Sequence, residues 1–168
     1  EVGLKIDLTK LHHKYGYVKN CLKMKCIEIL DKQSTDFYNS ETLHFHLHTE
    51  IMQKAMGFGL RISFFTQDGE PIMTSFSDSL SCENLGTQLF DVKVDLSPLR
   101  ENTYYISLGF FYLNTISYPS SIDWIERAFR IKVVKNPEST DHFLWDSVHY
   151  GSINVPILTV KELQNNNA

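Results

Sequence analysis

Three histidines at alternate positions are the first residues of this sequence whose types and spacing suggest chemistry: His44, His46 and His48. Residues two apart on a β-strand point to the same side of the sheet, so the three imidazoles would form one row. His44, His46 and Glu50, with Gly57 beyond them, match the first half of the cupin metal motif. Because imidazole and carboxylate groups bind zinc or iron, one interpretation is a cupin-like metal-dependent enzyme. The second half of the motif is incomplete, and the simpler alternative is a row of solvated histidines.

A second group of residues combines aromatic rings, small side chains and cations at alternate positions of three other segments. Its members are Arg61, Ser63, Phe65, Tyr105, Ser107, Phe111, Arg130 and Lys132. Flat aromatic rings stack on the C–H surfaces of sugars, and guanidinium groups donate directed hydrogen bonds to anions such as phosphate. We therefore expect these eight residues to form a glycan-binding face. The alternative is that they belong to a second core under a loop or to a dimer interface.

Motifs of common hydrolases and nucleotide-binding enzymes are missing from the sequence. It contains no GxSxG nucleophile motif, no P-loop and no convincing pair of carboxylates. We expect no catalytic residue, no bound metal and no cofactor in this domain. His44, His46 and Glu50 remain the alternative metal ligands.

The composition is that of one globular domain. The 168 residues are 42% hydrophobic and 21% charged, which is enough apolar material for a sizeable core. No run approaches the roughly 20 apolar residues that a membrane span needs. A net charge of -4 disfavours a dedicated nucleic-acid-binding protein. The three cysteines match no zinc-site spacing, and their odd number indicates reduced, buried thiols.

Period-two alternation of apolar and polar residues dominates from residue 22 onward and predicts an all-β fold. The predicted strands cover residues 22–30, 42–49, 59–66, 71–76, 88–96, 104–113, 129–134 and 151–158. A hairpin turn is predicted at residues 67–71, and a short helical turn only at residues 123–127. We expect an antiparallel β-sandwich, immunoglobulin-like or jelly-roll, with seven to eight strands over residues 21–158. Residues 1–20 are interpreted as an N-terminal extension or linker, and residues 159–168 as a C-terminal tail.

The same alternation assigns each strand residue to a face of its sheet. In residues 42–49 the apolar side chains face inward, so the histidines face outward. If the strands pair as in a Greek key, Arg61, Tyr105 and Arg130 belong to one sheet, and the histidines and Asp91 to the other. The expected glycan face and the histidine row would then lie on opposite surfaces of the sandwich.

Several short motifs follow one another in a characteristic order. They are a strand at 22–30, Ser-Glu-Thr-Leu at 40–43, Gly-Leu-Arg-Ile at 59–62 with Asp-Gly at 68–69, a turn at 96–99 before the strand from 104, Ile-Asp-Trp at 122–124 and Ala-Phe-Arg-Ile-Lys-Val at 128–133. This set, which covers about residues 20–155, resembles the C-terminal carbohydrate-binding domain of Wzt-type ATP-binding proteins of O-antigen ABC transporters. Two features depart from the pattern: Asn102 replaces a glycine before the strand from 104, and a tryptophan after the final strand is absent.

The resemblance implies a sandwich domain that binds a ligand and catalyses no reaction. Such a domain is fused behind an ATPase domain, forms a homodimer and captures the modified non-reducing end of a finished O-polysaccharide for export. The implied partners are the polysaccharide terminus, a second copy, the ATPase domain of the same chain and a transmembrane permease, at the cytoplasmic face of the bacterial inner membrane. The start at Glu1, without an initiator methionine, fits a domain excised from such a chain. A pure dimerisation scaffold is the remaining alternative.

Overall fold

The structure, a computed structural model, describes residues 3–16, 20–112, 120–139 and 144–154. These residues form an all-β sandwich with one short helix, which confirms the predicted fold class. The elements are β1 (Leu4–Asp7), β2 (Leu22–Ile29), β3 (Asp36–Phe37), β4 (Thr42–Ile51), β5 (Ala55–Phe65), β6 (Pro71–Phe76), β7 (Leu80–Cys82), β8 (Gly86–Asp95), β9 (Asn102–Tyr112), β10 (Ser120–Val133) and α1 (Ser147–Tyr150).

The strands divide into two sheets. One sheet has four strands in the order β1-β2-β4-β8, and the other has six, in the order β3-β10-β9-β5-β6 with β7 paired to β5. Neighbouring strands are antiparallel, apart from the parallel pair β3 and β10. The strands that carry Arg61, Tyr105 and Arg130 are therefore adjacent, as predicted. The histidine strand β4 pairs with β8, which carries Asp91, in the other sheet.

The core fills the space between the sheets. Leu43, Phe45 and Leu47 of β4 are fully buried, and so is Tyr104 of β9. The Tyr104 hydroxyl donates a hydrogen bond to the carbonyl oxygen of Arg100 at 2.6 Å, and burial raises the pKa of Tyr104 to about 12. Each fully buried large apolar side chain stabilises the fold by roughly 1.5–3 kcal/mol. The residues of β4 and β9 that alternation predicted to face inward therefore belong to the core that stabilises the fold.

The N-terminal segment is part of the sandwich, which differs from its interpretation as an extension or linker. β1 pairs with β2, with Ile6 opposite Ile27, and the following Leu8 is fully buried. The backbone of Lys14 forms an isolated antiparallel β-bridge with that of Trp124 in β10. An alternating run of four residues is too short to distinguish a strand from a coil in the sequence, and the pairing becomes evident only in the folded chain.

The helical turn predicted at residues 123–127 is wrong, because β10 runs through this segment. Its register on β9 shifts between Ser121 and Asp123, and again between Ile125 and Phe129. Arg127 has a φ of 50°. A β-bulge places extra residues in one strand and so interrupts its period-two pattern. The interruption in the sequence therefore reflects two irregularities within one long strand.

The turns and the C-terminal segment partly match expectation. The hairpin predicted at residues 67–71 joins β5 to β6, with Gly69 at a φ of 89°. Of the strand predicted at 151–158, residues 151–154 are described. The backbone of Ile153 forms an isolated antiparallel β-bridge with that of Leu99. Residues 155–158 and the predicted tail at 159–168 lie outside the described residues.

Among the residues described, no helix has the length and apolar character needed to cross a membrane.

Candidate ligand-binding face

The outer face of the six-stranded sheet brings together residues of β5, β9 and β10. Phe65 pairs with Tyr105, and Tyr105 pairs with Arg130, so the three form one row across the strands. The next row contains Ser63 and Ser107. Because successive outward residues are separated by one inward residue, these rows lie side by side on the surface.

A third row places Arg61, Gly109 and Trp124 next to one another. A Cβ atom at Gly109 would collide with the carbonyl oxygen of Asp123 and would lie 2.7 Å from Cα and 2.8 Å from Cε3 of Trp124. Glycine at 109 therefore lets β10 and the Trp124 indole approach β9 closely. This close approach is what places the indole beside Arg61.

An open cavity of about 450 Å³ lies on this face. Its lining residues are Arg61, Phe65, Gly69, Ser107, Ser121, Trp124, Glu126 and Arg127. The volume falls within the range of small-molecule sites, and the lining combines aromatic surface with a few polar groups, as such sites do.

Two arginines lie against aromatic rings at this cavity. The guanidinium carbon of Arg61 is 4.6 Å from the centre of the Trp124 ring, and that of Arg127 is 4.2 Å from the centre of the Tyr105 ring. Arg127 also donates a hydrogen bond from Nη2 to the carbonyl oxygen of Gln67 at 2.7 Å, which ties it to the β5–β6 hairpin. Stacking holds a planar guanidinium in one orientation and leaves its edge N–H groups available to an anion.

Glu126 is the acidic residue of the lining. The ammonium of Lys14 lies 2.7 Å from its Oε1, and this hydrogen bond lowers the pKa of Glu126. Lys14 thus offsets the charge of Glu126. Arg61 and Arg127 leave the cavity with an excess of positive charge.

Ser63 and Ser107 belong to this face but are buried, although they were expected to be exposed. Arg61 donates from Nε to the hydroxyl of Ser63 at 3.3 Å, and the backbone N–H of Arg127 donates to the hydroxyl of Ser107 at 3.0 Å. The two serines therefore support the arginines and the bulge from below.

Phe111 also lies on this face but is covered. It is 6% exposed, because the ring of Phe76 packs edge-on against it with centroids 5.4 Å apart. The expectation of an open aromatic platform at Phe111 is therefore corrected. Phe76 of β6, which is 59% exposed, presents the solvent side of this aromatic pair.

Arg130 and Lys132 are exposed on the same face but outside the cavity. They line a separate, smaller depression of about 270 Å³ together with Asp36 and Thr103. Arg130 remains next to the cavity through its register position beside Tyr105. The eight predicted residues thus share one face. Five of them line the cavity or contact an arginine of its lining: Arg61, Ser63, Phe65, Tyr105 and Ser107.

Besides Gly69, Ser121 and Glu126, two lining residues that give the cavity its aromatic and cationic character were not predicted from the sequence: Trp124 and Arg127. Both lie in the bulged part of β10, where period-two alternation assigns no face. The Ile-Asp-Trp motif at 122–124 contained a usable signal, because its tryptophan lies only five residues before the strand predicted to start at residue 129.

A buried histidine–carboxyl pair fixes the backbone beneath this part of β10. Asp123 is fully buried, with Oδ1 2.7 Å from Nδ1 of His13, and its Oδ2 accepts a hydrogen bond from the backbone N–H of Met24 at 2.8 Å. Nε2 of His13 donates to the carbonyl oxygen of Leu8 at 2.9 Å. Burial raises the pKa of Asp123, and these hydrogen bonds oppose the rise. The pair joins the N-terminal segment, β2 and β10 directly before Trp124.

The opposite face carries the histidine row, but with a different acidic partner from the one expected. Glu50 pairs with Lys25 at 2.8 Å, and this hydrogen bond lowers the pKa of Glu50. Asp91 of β8 lies 2.6 Å from Nε2 of His44 and 3.3 Å from Nε2 of His46. The arrangement therefore does not favour the cupin-like interpretation, in which Glu50 completes the ligand set.

An all-β sandwich with an aromatic and arginine-lined cavity on one outer face has the form of a ligand-binding module. Fifteen chains of known structure match this one, among them the crystal structure of the C-terminal domain of Wzt. The two chains align with a TM-score of 0.66 and 13% sequence identity, over 92% of this chain and 90% of that chain. At the level of the fold, this confirms the resemblance that the ordered motifs indicated. No protein-family model and no curated protein matches the sequence.

Proposed function

We propose that this chain is a non-catalytic glycan-binding domain of a polysaccharide-exporting ABC transporter, and that it recognises the modified non-reducing end of an O-antigen polysaccharide. The observation that carries the proposal is the cavity where Arg61 and Arg127 lie against Trp124 and Tyr105. The likeness of the fold to the Wzt C-terminal domain supports the same assignment.

The lining indicates how a terminal sugar would be held. Phe65 and the exposed part of Trp124 offer apolar surface to the C–H groups of a sugar ring. Arg61 and Arg127 approach from different strands, and paired guanidinium groups favour an anionic substituent such as phosphate. Arg130 extends the positive surface away from the cavity, together with Lys132, and would contact a substituent or a second sugar unit.

The proposed function requires partners rather than a chemical step. The domain would act as a homodimer, with the ATPase domain of the same chain and a transmembrane permease, at the cytoplasmic face of the bacterial inner membrane. Ligand capture needs no catalytic residue and no cofactor at this cavity. A nucleic-acid partner is not expected, because the chain carries a net charge of -4.

Titration with oligosaccharides that carry phosphorylated or uncharged non-reducing ends tests the proposal. We expect Trp124→Ala and Arg61→Ala each to weaken binding by about 1–3 kcal/mol, because each removes part of the aromatic and guanidinium wall. Binding of the phosphorylated ligands should weaken as salt increases, and Arg127→Ala should reduce that salt dependence. Lys93→Ala, which removes an exposed cation on the opposite sheet, is the control and should bind normally.

Two outcomes would contradict the proposal. If the Trp124, Arg61 and Arg127 variants keep wild-type circular dichroism and unchanged affinity, this cavity is not the glycan site. If the wild-type domain binds none of the oligosaccharides and still dimerises, the scaffold alternative is preferred.

A further inference from the structure

The outer face of the four-stranded sheet carries a cluster of metal-ligating side chains that the proposed glycan site does not use. His44 and His46 lie two residues apart on β4, and Asp91 of β8 pairs with His46 in register. One ligand atom from each of the three lies within 4.8 Å of the other two. Within the described ranges, no other three histidine, cysteine, aspartate or glutamate side chains come as close.

We propose that His44, His46 and Asp91 form a binding site for a divalent transition-metal ion, with Zn²⁺ as the best match. Two imidazoles and a carboxylate are a ligand set that Zn²⁺ accepts, and imidazole also suits Cu²⁺ and Ni²⁺. Three protein ligands leave a coordination position for water or for a group from outside the chain. The proposal does not depend on the glycan cavity, which lies on the other sheet.

The geometry requires little movement to accept the ion. Tetrahedral Zn²⁺ with bonds of about 2.0–2.2 Å holds its ligand atoms about 3.3 Å apart. Nε2 of His46 is already 3.3 Å from Oδ1 of Asp91, and Nε2 of His44 is 2.6 Å from the same oxygen. The three side chains are between 31% and 54% exposed, so an ion can reach them from solvent. Side-chain rotations that move His44 away from Asp91 and bring the two imidazoles to this spacing would therefore complete the site.

The neighbouring charges are compatible with a cation. Glu28 of β2 lies opposite His46 in register, and its carboxylate is 3.4 Å from Nε2 of His48. Lys93 lies opposite His44 on β8 and is the cation closest in register. Asp91 and Glu28 thus place negative charge on both sides of His46, while Lys93 lies opposite His44 and Lys5 of β1 lies opposite Glu28.

The position of the site gives it a structural consequence. Among the strands described, β8 has β4 as its neighbour on one side and stands at the end of the sheet order. Residues 86–89 of β8 are exposed. An ion held by His44 and His46 on one strand and Asp91 on the other would link β8 to β4. We therefore expect the metal to stabilise this edge strand more than the rest of the sandwich.

Zn²⁺ titration in competition with a chromophoric chelator tests the site, on protein made without a histidine tag and stripped with EDTA. The wild type should bind one Zn²⁺ per chain. His44→Gln, His46→Gln and Asp91→Asn should each weaken binding by at least about tenfold. His48→Gln is the matched control, because His48 lies in the same row but outside the cluster, and it should retain wild-type affinity.

Two further measurements distinguish a specific three-ligand site from nonspecific binding of Zn²⁺ to the histidine row. Zn²⁺ should raise the melting temperature of the wild type and of His48→Gln but not of His44→Gln, because a ligand stabilises only the state that binds it. Amide hydrogen exchange in β8 should slow on Zn²⁺ addition, while exchange in β6, an edge strand of the other sheet, should not.

The proposal is overturned if the wild type takes up no Zn²⁺, or if His48→Gln loses as much affinity as His44→Gln. Both measurements are made without glycan, so their failure leaves the proposed function standing. Conversely, a domain that binds Zn²⁺ but no oligosaccharide would refute the glycan assignment alone.

Discussion

Arg127 illustrates how one residue shapes the proposed glycan cavity. Its φ of 50° lies in the left-handed region, which costs a non-glycine residue on the order of 1 kcal/mol. The conformation is held by the hydrogen bond from its N–H to Ser107, by stacking on Tyr105 and by the hydrogen bond to Gln67. The strained backbone therefore lies at the wall of the candidate site.

Asp123, directly before Trp124, leads to a prediction about pH. Burial raises the pKa of this carboxyl above the ordinary value of 3.8, with His13 and Lys23 as the charges that oppose the rise. Between 3.8 and the raised pKa, the folded state binds more protons than the unfolded state, so stability falls as pH rises. We expect Asp123→Asn to remove this dependence, because the amide oxygen can still accept the hydrogen bond from the N–H of Met24, and the amide carries no group that titrates.

Urea unfolding between about pH 3.5 and 5.5, below the ordinary histidine pKa of about 6.5, measures this effect. The free energy of unfolding of the wild type relative to Asp123→Asn should decrease as pH rises. Asp123→Ala, the control, leaves the buried N–H of Met24 without its acceptor and should be about 1–3 kcal/mol less stable than Asp123→Asn at each pH. A difference between wild type and Asp123→Asn that stays constant or grows with pH contradicts the prediction.

At the scale of elements, the N-terminal segment contributes a fully buried side chain to the core. Leu8 is fully buried behind β1, whereas Leu11, three residues later, is 37% exposed. We expect Leu8→Ala to lower the free energy of unfolding by about 2–5 kcal/mol, because it leaves a cavity in the core. Leu11→Ala is the matched control and should change stability by no more than about 0.5 kcal/mol.

Urea denaturation of the two variants provides the measurement. Equal effects would mean that the segment before β2 does not pack on the sandwich. The same segment also carries His13 and Lys14 to β10, so its loss would affect the backbone that presents Trp124.

At the scale of the whole molecule, the two outer faces are chemically different and the C-terminal segment adds a third surface. In residues 144–154 the apolar side chains of Leu144, Val148, Tyr150 and Ile153 are all exposed. Exposed apolar side chains gathered in one short segment are typical of an interaction surface. We expect the chain to dimerise through this segment, with a mass in solution of about twice 19.5 kDa.

Light scattering at high micromolar concentration tests this expectation. Val148→Glu should shift the mass toward the monomer, because it buries an unpaired charge in the interface. Leu85→Glu, at a residue of similar exposure before β8, should leave the mass unchanged. A wild-type chain that remains monomeric would count against the homodimer in the proposed function.

Much of the fold was predictable from the sequence because side-chain direction along an extended strand is a local property. Alternation alone placed Leu43, Phe45 and Leu47 in the core and the histidines on the outside, and the structure confirms both. The assumption of Greek-key pairing also assigned Arg61, Tyr105 and Arg130 to one sheet, and the register of β5, β9 and β10 confirms this. Irregular segments were not predictable in this way, because a bulge removes the period on which the reasoning depends.

The sequence by itself therefore determined the fold class and which residues share a face. The tertiary structure alone decided which side chains meet. Trp124 enters the cavity because Gly109 admits it, Phe111 is covered by Phe76, and Asp91 instead of Glu50 joins the histidines. Each of these contacts joins residues on different strands, and strand register and bulge position set the contact. Register results from the packing of the whole sandwich, so no local pattern in the chain encodes it.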